Sequence, residues 1–391
     1  MATLKPRILF LDHTGVLGGA ELFLLELAAR WDGERQVVLF GDGPFRERLE
    51  RAAVPVSVFR AGEKVASVGR GGRGLAQLLA VPDLFKLAWR VARHATKFDL
   101  LFANSQKALV VGAIASRIAG KPLVWYLHDI LTADHFSALN RWVSVNVGSR
   151  CAIRVIANSE ASRRAFVMSG GRAKRTAVVY NGIDSKPFVG ESVEKAAQQL
   201  RLEMGWGAGP VVGVFSRLAP WKGQHVLLEA LPLVPNLRAV VVGAPLIGDE
   251  EHYLEELEAR ARELGVSERV RFMGFREDIP ALLHAMDFVA HTSVSPEPFG
   301  RVIVEGMLAG KPVLATRAGG ACEIIEDGVT GCLVPPGDAA ELSRALRSLI
   351  EQPAMAERLG LAAREFAARQ FSVDAMLDGL RREIRLAMPG E

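Results

Sequence analysis

The stretch EPFGRVIVEGMLAGKPVLA, residues 297–315, decides how the C-terminal half of this 391-residue chain is built. A residue before a proline favours extended backbone, so Glu297 should be extended and Pro298 should lie at or just before a first helical turn. The residues that follow predict a helix, a turn at Gly310 and a buried strand over Pro312–Thr316. Helix, turn and short apolar strand in this order indicate an α/β domain.

Two acids, Glu297 and Glu305, lie eight residues apart around the Pro-Phe-Gly turn. The backbone N–H groups of Phe299, Gly300 and Arg301 are expected at a helix start, which binds anions well. At ~1.5 Å rise per residue the acids are on the order of 10 Å apart, whereas retaining glycosidases hold their carboxylates ~5 Å apart. The spacing favours a pair that grips two parts of one extended ligand, such as the sugar and the ribose of a sugar nucleotide.

Short apolar runs alternate with longer amphipathic segments along the chain, which predicts parallel sheets flanked by helices. The predicted strands of the first half are Arg7–Leu11, Gln36–Phe40, Val54–Phe59, Leu100–Ala103, Leu123–Leu127, Ala152–Ala157 and Thr176–Tyr180. Those of the second half are Val211–Phe215, Ala239–Val242, Val270–Met273, Phe288–His291, Pro312–Thr316 and Gly331–Val334. Predicted helices include Glu21–Trp31, Tyr253–Leu264, Glu341–Ile350 and Ala354–Gln370. Each series is long enough for a doubly wound sheet of its own.

The break between two domains is predicted after Tyr180–Asp184, because Asn-Gly is a turn signal and the polar segment Glu191–Leu202 follows it. A chain of this length is too long for one ordinary core. We therefore expect a first Rossmann-like domain over residues 1–185 and a linker over 186–207. A second Rossmann-like domain is expected over 208–371 and a terminal helical segment over 372–391.

Composition indicates a globular protein, with 49% apolar and 24% charged residues. Three widely spaced cysteines, Cys151, Cys322 and Cys332, predict a reducing, cytoplasmic setting with neither a disulfide framework nor a zinc site. No apolar run reaches the ~18 residues that a transmembrane helix needs. The start Met1–Pro6 leads directly into a predicted strand, so no signal peptide is expected.

Charge is distributed unevenly between the two halves of the chain. Residues 1–185 hold 26 Lys and Arg against 15 Asp and Glu, a net of +11, and the remainder holds 22 against 29, a net of −7. A basic half predicts an anionic partner, such as a membrane surface or a lipid-linked phosphate. Nucleic acid is disfavoured, because no basic stripe is interleaved with aromatic residues.

The most basic segment is the glycine-rich loop Gly62–Gly74 with the helix predicted after it, Leu75–Thr96, which carries Lys86, Arg90 and Arg93. One interpretation is an edge that faces the acceptor or a membrane. The other is an ordinary solvated loop and helix, since basic amphipathic segments are common.

The two acids, with Pro-Phe-Gly between them and Gly-Lys-Pro-Val after them, resemble the signature of retaining GT-B glycosyltransferases, specifically glycosyltransferase family 4. The resemblance covers nearly the whole chain. It implies two Rossmann-like, doubly wound parallel-sheet domains that face a deep cleft, with the acceptor bound by the first and the nucleotide-sugar donor by the second. It also implies that a last helix, here Ser372–Met388, crosses back to the first domain. The alternative for the motif is a solvated helix with a capping glycine.

Two further segments resemble phosphate-binding parts of the family. Gly18 and Gly19 open a helix after the first strand and resemble the Gly-Gly loop that lies against the donor pyrophosphate, although the G-x-G-x-x-G spacing is absent. Arg217 and Lys222 lie five residues apart across a proline turn after a strand, where open α/β sheets bind ligands. The matching Arg and Lys of the family hold the pyrophosphate. The alternatives are a tight strand-to-helix turn and an exposed basic turn.

His128 and the pair Gly274 and Phe275 take roles from the same resemblance. The family places a histidine at the position of His128, near the transferred sugar, where a neutral imidazole would bond a sugar hydroxyl. Without the resemblance a lone histidine indicates a structural role. Gly274 and Phe275 resemble the segment whose backbone meets the nucleobase, and main-chain contact fits uracil and guanine alike.

Motifs of other enzyme classes are missing from the sequence. It has no Asp-x-Asp of metal-dependent GT-A transferases, no histidine pair with zinc spacing, no Walker A motif and no Gly-x-Ser-x-Gly. We therefore expect no metal and no cofactor besides the substrate nucleotide sugar. Asn104-Ser105 and Asn158-Ser159 are interpreted first as helix N-caps.

With the resemblance, the sequence predicts a metal-independent, retaining glycosyltransferase. It would move a hexose from a nucleotide sugar, UDP-hexose favoured over GDP-mannose, to a glycan or lipid-linked acceptor in polysaccharide biosynthesis. We expect a cytoplasmic protein with peripheral contact to the inner membrane surface. The implied roles are Glu297 on sugar hydroxyls, Glu305 on the ribose, and Arg217 with Lys222 on the pyrophosphate, and front-face transfer needs no protein base.

Two alternatives stay open at this point. A GT-B epimerase would hydrolyse and re-add UDP-N-acetylglucosamine with no acceptor. A non-catalytic sugar-nucleotide-binding scaffold would bind nucleotide without turnover. Intact Arg217, Lys222, Glu297 and Glu305 argue against the scaffold.

Overall fold

A computed structural model of the chain describes residues 5–62, 81–132, 136–207, 209–245 and 252–388. The chain divides into two compact units: unit 1 is Met1–Gly182 with Val373–Glu391, and unit 2 is Ile183–Ser372. The segment 186–207, expected as a linker, is part of unit 2. The glycine-rich loop Gly62–Gly74 lies, apart from Gly62, outside the described residues.

Unit 1 contains a seven-stranded parallel sheet with strand order β3-β2-β1-β4-β5-β6-β7. Its strands are β1 Ile8–Asp12, β2 Arg35–Leu39, β3 Val56–Val58, β4 Leu100–Ala103, β5 Leu123–Leu127, β6 Arg154–Ala157 and β7 Thr176–Val178. Its described helices are α1 Gly19–Arg30, α2 Pro44–Arg51, α3 Val81–Ala95, α4 Gln106–Ala119, α5 Ala138–Cys151 and α6 Glu160–Met168, with the last helix Val373–Ala387. The described part of the helix predicted over Leu75–Thr96 is α3.

The sheet of unit 1 is buried on both faces, which explains why its strands are continuous apolar runs. Leu9 and Leu11 of β1 point into one hydrophobic cluster with α3, α4 and α5. Ile8 and Phe10 alternate with them and point into a second cluster on the other face.

The last helix, Val373–Ala387, completes that second cluster with five buried residues: Val373, Met376, Leu377, Leu380 and Ile384. A Cβ at Gly379 would lie 2.9 Å from a methyl group of Val179, so the helix approaches the segment after β7 closely. Glu383 forms an ion pair with Arg154 of β6, with Nε at 2.8 Å. This helix is therefore an integral part of unit 1.

Unit 2 contains a six-stranded parallel sheet with strand order β10-β9-β8-β11-β12-β13. Its strands are β8 Val211–Phe215, β9 Arg238–Val242, β10 Val270–Phe272, β11 Phe288–His291, β12 Val313–Thr316 and β13 Cys332–Val334. Its described helices are α7 Glu191–Met204, α8 Gln224–Ala230, α9 Tyr253–Glu263, α10 Ile279–Ala285, α11 Arg301–Leu308, α12 Ala321–Ile324, α13 Ala339–Glu351 and α14 Pro353–Gln370, and the last helix of unit 1 is α15. Arg201 anchors α7 to this unit through the carbonyl groups of Ala285 and Gly209 and an ion pair with Asp287.

The predicted fold class is confirmed: both units are doubly wound parallel α/β domains, and all thirteen predicted strands are present. The largest boundary difference is at β3, expected over Val54–Phe59 but limited to the residues that pair with β2. Among the described residues, no helix combines the length and apolar character needed to cross a bilayer.

Candidate functional site

The polar segments of unit 2 collect at one edge of its sheet, where parallel strands end. A short 3₁₀ turn, Pro220–Lys222, follows β8, and Val294 after β11 donates its N–H to the carbonyl of Trp221 at 2.8 Å. Gly223 ends the turn with φ +68°, and a Cβ there would lie 2.0 Å from the Thr292 carbonyl oxygen. Only glycine permits this close approach, which ties Lys222 to the end of β11.

The backbone of Glu297, which follows β11, is held by the loop after β12. The Gly320 N–H donates to the Glu297 carbonyl at 2.8 Å. Gly319 has φ +63°, and a Cβ there would lie 2.3 Å from the same oxygen. The position of the Glu297 carboxylate is therefore set by the chain after β11 and by the loop after the neighbouring strand β12.

The side chains of Lys222 and Glu297 meet in a largely buried ion pair. Lys222 Nζ lies 2.5 Å from Glu297 Oε2, and the two side chains are 14% and 13% exposed. Ser293 Oγ and His291 Nε2 lie 3.3 and 3.4 Å from the same oxygen. Burial raises the pKa of Glu297, but the Lys222 charge and the His291 contact outweigh it and hold that pKa below the ordinary value. Glu297 is therefore an anion near neutral pH.

Arg217 lies beside this pair. The Trp221 ring has Lys222 Nζ 4.1 Å and Arg217 Cζ 5.8 Å from its centroid, so one indole carries both cations. Gln224 stabilises the segment before this turn, because its Nε2 donates a hydrogen bond to the Arg217 carbonyl at 2.9 Å. The structure thus brings together three of the residues predicted to bind the donor.

The helix after Glu297 starts within the predicted range, with Pro298 just before its first turn. α11 begins at Arg301, with Gly300 as its N-cap in the left-handed region, so Pro298 lies before the first turn. Phe299, which lies between Pro298 and the helix, is buried, and its ring contacts Phe371. Glu305 lies on α11 with Arg301 Nη2 3.4 Å from its Oε1, and their side chains are 17% and 13% exposed.

Gly274 and Phe275 lie at the same edge of the sheet, after the outermost strand β10. Gly274 has φ +63°, and its carbonyl accepts the Gly243 N–H at 2.8 Å. Phe275 is 66% exposed. A backbone turn followed by an exposed ring is suited to contact with a flat ligand group.

In unit 1, Gly18 and Gly19 open α1 as predicted, with Gly18 as the N-cap. Glu21 follows in the first turn, and its carboxylate accepts hydrogen bonds from backbone N–H groups at this helix start. Burial, assisted by the charge of Asp12, raises the pKa of Glu21 to about 8. A buried carboxyl that is largely protonated near neutral pH limits the negative charge beside the glycine turn.

His128 belongs to a chain of side-chain hydrogen bonds across three strand ends. Its Nε2 lies 2.9 Å from Asn104 Oδ1, and Asn104 Nδ2 lies 2.5 Å from Asp12 Oδ2. Because Asn104 uses its NH₂ group on Asp12, its carbonyl oxygen must accept from His128, which places a proton on His128 Nε2. The ring packs between Phe23 and Tyr126, with centroids at 5.1 and 4.8 Å.

One group of ligating side chains in unit 1 could be mistaken for a metal site. Donor atoms of Asp12, His13 and Glu21 lie within 4.8 Å of one another. Asp12 Oδ1, however, accepts the backbone N–H groups of His13 and Thr14 at 2.5 and 3.3 Å, and its other oxygen accepts from Asn104. Both oxygens of Asp12 are therefore already used by hydrogen bonds within unit 1.

Models of two protein families match the chain. Glycosyltransferase Family 4 matches residues 17–186, and Glycosyl transferases group 1 matches residues 206–366. Anabaena Alr3699/HepE, solved in complex with UDP-glucose, is 44% identical, with a TM-score of 0.87 over 97% of this chain and 99% of its own. The chain belongs to glycosyltransferase family 4.

Two curated relatives of this family 4 glycosyltransferase, from different organisms, match parts of the chain. The lipopolysaccharide core biosynthesis glycosyltransferase LpsE of Rhizobium meliloti (strain 1021) is 36% identical over 169 residues, 43% of this chain and 48% of the relative. A GDP-mannose-dependent alpha-(1-6)-phosphatidylinositol monomannoside mannosyltransferase of Mycolicibacterium smegmatis is 34% identical over 280 residues, 68% of this chain and 70% of the relative. The chain thus spans about half the length of LpsE, the first of these.

Sequence reasoning missed four polar residues of this glycosyltransferase: Asp12, Asn104, His291 and Ser293. Asn104 is a bridge between strand ends, and Ser105 alone caps α4, as Ser159 caps α6. Each missed residue lies at the end of a strand or within two residues of it, which is the signal that could have found them.

Proposed function

We propose that this family 4 glycosyltransferase moves a hexose from a UDP-hexose donor, with retention at the anomeric carbon and without a metal. The observation that carries the proposal is the ion pair of Lys222 and Glu297 beside Arg217, at the carboxyl edge of the unit 2 sheet. The UDP-glucose complex of the 44% identical HepE supports this donor over GDP-mannose, which the more distant mannosyltransferase uses.

In the proposed reaction the acceptor hydroxyl attacks the anomeric carbon on the face from which UDP departs. The bond from that carbon to the β-phosphate oxygen breaks, and the phosphate oxygen takes the hydroxyl proton. Arg217 and Lys222 would stabilise the charge that develops on the diphosphate. Glu297 would orient the sugar hydroxyls and Glu305 the ribose. Gly18, Gly19 and His128 keep the roles that the resemblance implied, close backbone approach to phosphate and a border to the sugar.

Selective binding of a uridine nucleotide is the first test of the proposal. UDP, GDP and ADP, then UDP-glucose, UDP-galactose and GDP-mannose, would be compared by thermal shift and by sugar release, each with and without EDTA. We expect UDP to raise the melting temperature selectively, because a ligand at ~100 times its Kd adds about 2.7 kcal/mol of stability. Slow release of sugar from one UDP-hexose, unchanged by EDTA, is expected with it.

Each other outcome contradicts a stated part of the proposal. Selective stabilisation by GDP would replace the donor. Loss of release with EDTA would contradict metal independence, and an epimerised product without acceptor would favour the epimerase. Binding without release, with lipid-phosphate and glycan acceptors also tried, would favour the scaffold. A chain stabilised by no nucleotide would contradict the transferase role of this site.

We also propose that the acceptor is a lipid-linked glycan and that unit 1 contacts an anionic membrane. The exposed face of α3 carries Phe85 and Trp89, which are 54% and 52% exposed, together with Lys86, Arg90 and Arg93. No carboxylate shares this fully exposed face among the described residues of α3, since Asp83 is only half exposed. Exposed aromatic rings among cations suit the interface of an anionic bilayer, where each cation adds about 1 kcal/mol.

A second helix on the same side of the sheet presents similar residues. In α5, Leu139 is 41% and Trp142 61% exposed, and both α3 and α5 pack on the cluster that contains Leu9 and Leu11. Two helices that both pack on α4 therefore offer large apolar side chains to solvent on one face of unit 1. Such side chains are expected to insert into the headgroup region.

Vesicle binding tests this contact. The protein should sediment with vesicles of equal parts phosphatidylcholine and phosphatidylglycerol but weakly with phosphatidylcholine alone, and salt should reduce the binding. Phe85→Ser with Trp89→Ser should abolish it, whereas Leu361→Ser, at a 60% exposed position of unit 2, should not. Equal binding by both variants would contradict the assignment to α3.

A further inference from the structure

His291 is a buried histidine that the proposed mechanism does not use. It ends β11, which lies between β8 and β12 in the unit 2 sheet, and its side chain is 3% exposed. Its Nε2 lies 3.4 Å from Glu297 Oε2 and 3.2 Å from Ser293 Oγ. The ring therefore borders the carboxylate from inside the protein.

The hydrogen bonds of this cluster converge on one oxygen of Glu297. Lys222 Nζ, Ser293 Oγ and His291 Nε2 all lie within 3.4 Å of Oε2. Among the described residues, no hydrogen bond is made to Oε1. One carboxylate oxygen is thus fixed by the protein, and the other is left to meet a ligand.

The surroundings of Nδ1 indicate which ring nitrogen of His291 carries a proton. Nδ1 is buried and has no hydrogen-bond partner within the described part of the chain. A proton there would create an unsatisfied buried donor, which is costly, and would turn the Nε2 lone pair toward the carboxylate. The structure therefore favours a proton on Nε2, aimed at Glu297.

We propose that His291 is a positioning residue that, with Ser293, fixes Oε2 of Glu297 so that Oε1 faces the sugar of the donor. This inference rests on the proposed function, because it takes Glu297 as the residue that orients the sugar hydroxyls. Its effect should be selective, because Arg217, Lys222 and Glu305, rather than Glu297, are proposed to bind the nucleotide, so the sugar is the part held less well when the histidine is lost.

The test compares two substitutions at one position. His291→Leu removes the N–H donor at similar bulk, whereas the amide nitrogen of His291→Gln restores a donor in the same direction. We expect the leucine variant to lower kcat roughly 10- to 100-fold, by analogy with small misplacements of reacting groups, while UDP affinity stays unchanged. The glutamine variant should recover most of the lost activity at the same melting temperature.

Two controls separate positioning from packing. Thr316 ends the neighbouring strand β12, and its buried hydroxyl has no partner, so Thr316→Val perturbs the core without removing a hydrogen bond and should keep wild-type activity. In a Glu297→Gln background, His291→Leu should have no further effect on kcat, since both act through one carboxylate.

The outcomes distinguish this inference from the proposed function. Equal loss in the leucine and glutamine variants, or additive loss in the double variant, would overturn the positioning role. A wild-type protein that turns over no UDP-hexose would instead contradict the proposed function. In that case the extra thermal shift of UDP-glucose over UDP still tests His291, because that difference reports contact with the sugar alone.

Discussion

Lys222→Met should both destabilise unit 2 and lower kcat/KM at least ~100-fold, the loss seen when one stabilising donor is removed. The substitution leaves Glu297 without its main counter-charge in a site where its side chain is 13% exposed. Breaking a buried pair from one side typically costs about 3–5 kcal/mol, so we expect a loss of about 3 kcal/mol by chemical denaturation.

The loss should depend on pH in a defined direction. In the wild type the pKa of Glu297 is depressed, so its contribution to stability is present above the unfolded pKa, near 4.5, and is lost as pH falls. Without Lys222, burial still raises the pKa of Glu297 while the largest influence that lowers it is gone, so the variant gains less stability than the wild type as pH rises. The free energy of unfolding of the variant should therefore be closest to that of the wild type near pH 4 and furthest from it near neutral pH.

Matched variants separate stability from catalysis. Lys222→Met with Glu297→Leu removes both charges and should restore stability but not activity. Lys195→Met removes a lysine that is 70% exposed and paired with Glu191, and should change neither quantity. A Lys222→Met protein as stable as the wild type at all pH values would show that the ion pair does not form in solution.

Arg217→Ala should lower turnover ~100-fold or more, by analogy with lost oxyanion donors. The guanidinium lies over Trp221 together with Lys222, at the edge where the diphosphate is proposed to bind. Steady-state kinetics with the UDP-hexose selected by the nucleotide panel would measure the effect. Arg217→Lys keeps the charge but loses bidentate geometry, so it should be intermediate.

Arg347→Ala is the control for this prediction, because Arg347 is exposed on α13 of the same unit. It should leave turnover unchanged. A folded Arg217→Ala protein with near-normal turnover would refute the role of Arg217 in stabilising the leaving group.

The strands were predictable because both faces of each sheet are covered. Leu123–Leu127 is five consecutive buried residues, and its predicted and observed bounds coincide. The edge strand β3 was predicted too long, since pairing with β2, rather than hydropathy, sets its ends. Local sequence therefore identifies a strand, whereas its neighbours fix its limits.

The residues of the site were predictable singly but not as a network. Lys222 and Glu297 are 75 residues apart, and their contact depends on β8 lying beside β11, an order that hydropathy does not reveal. His291 was taken as the last residue of a buried strand, and nothing local distinguishes it from a core histidine.

The return of α15 to unit 1 has a consequence for the order in which the protein matures. Unit 2 is one continuous segment, whereas the second hydrophobic cluster of unit 1 lacks Leu377, Leu380 and Ile384 until residues 373–387 have been synthesised. Domains usually mature on the ribosome in the order of their sequence. In this protein the later segment, unit 2, can fold first, and until α15 is made one apolar face of the unit 1 sheet stays incompletely covered.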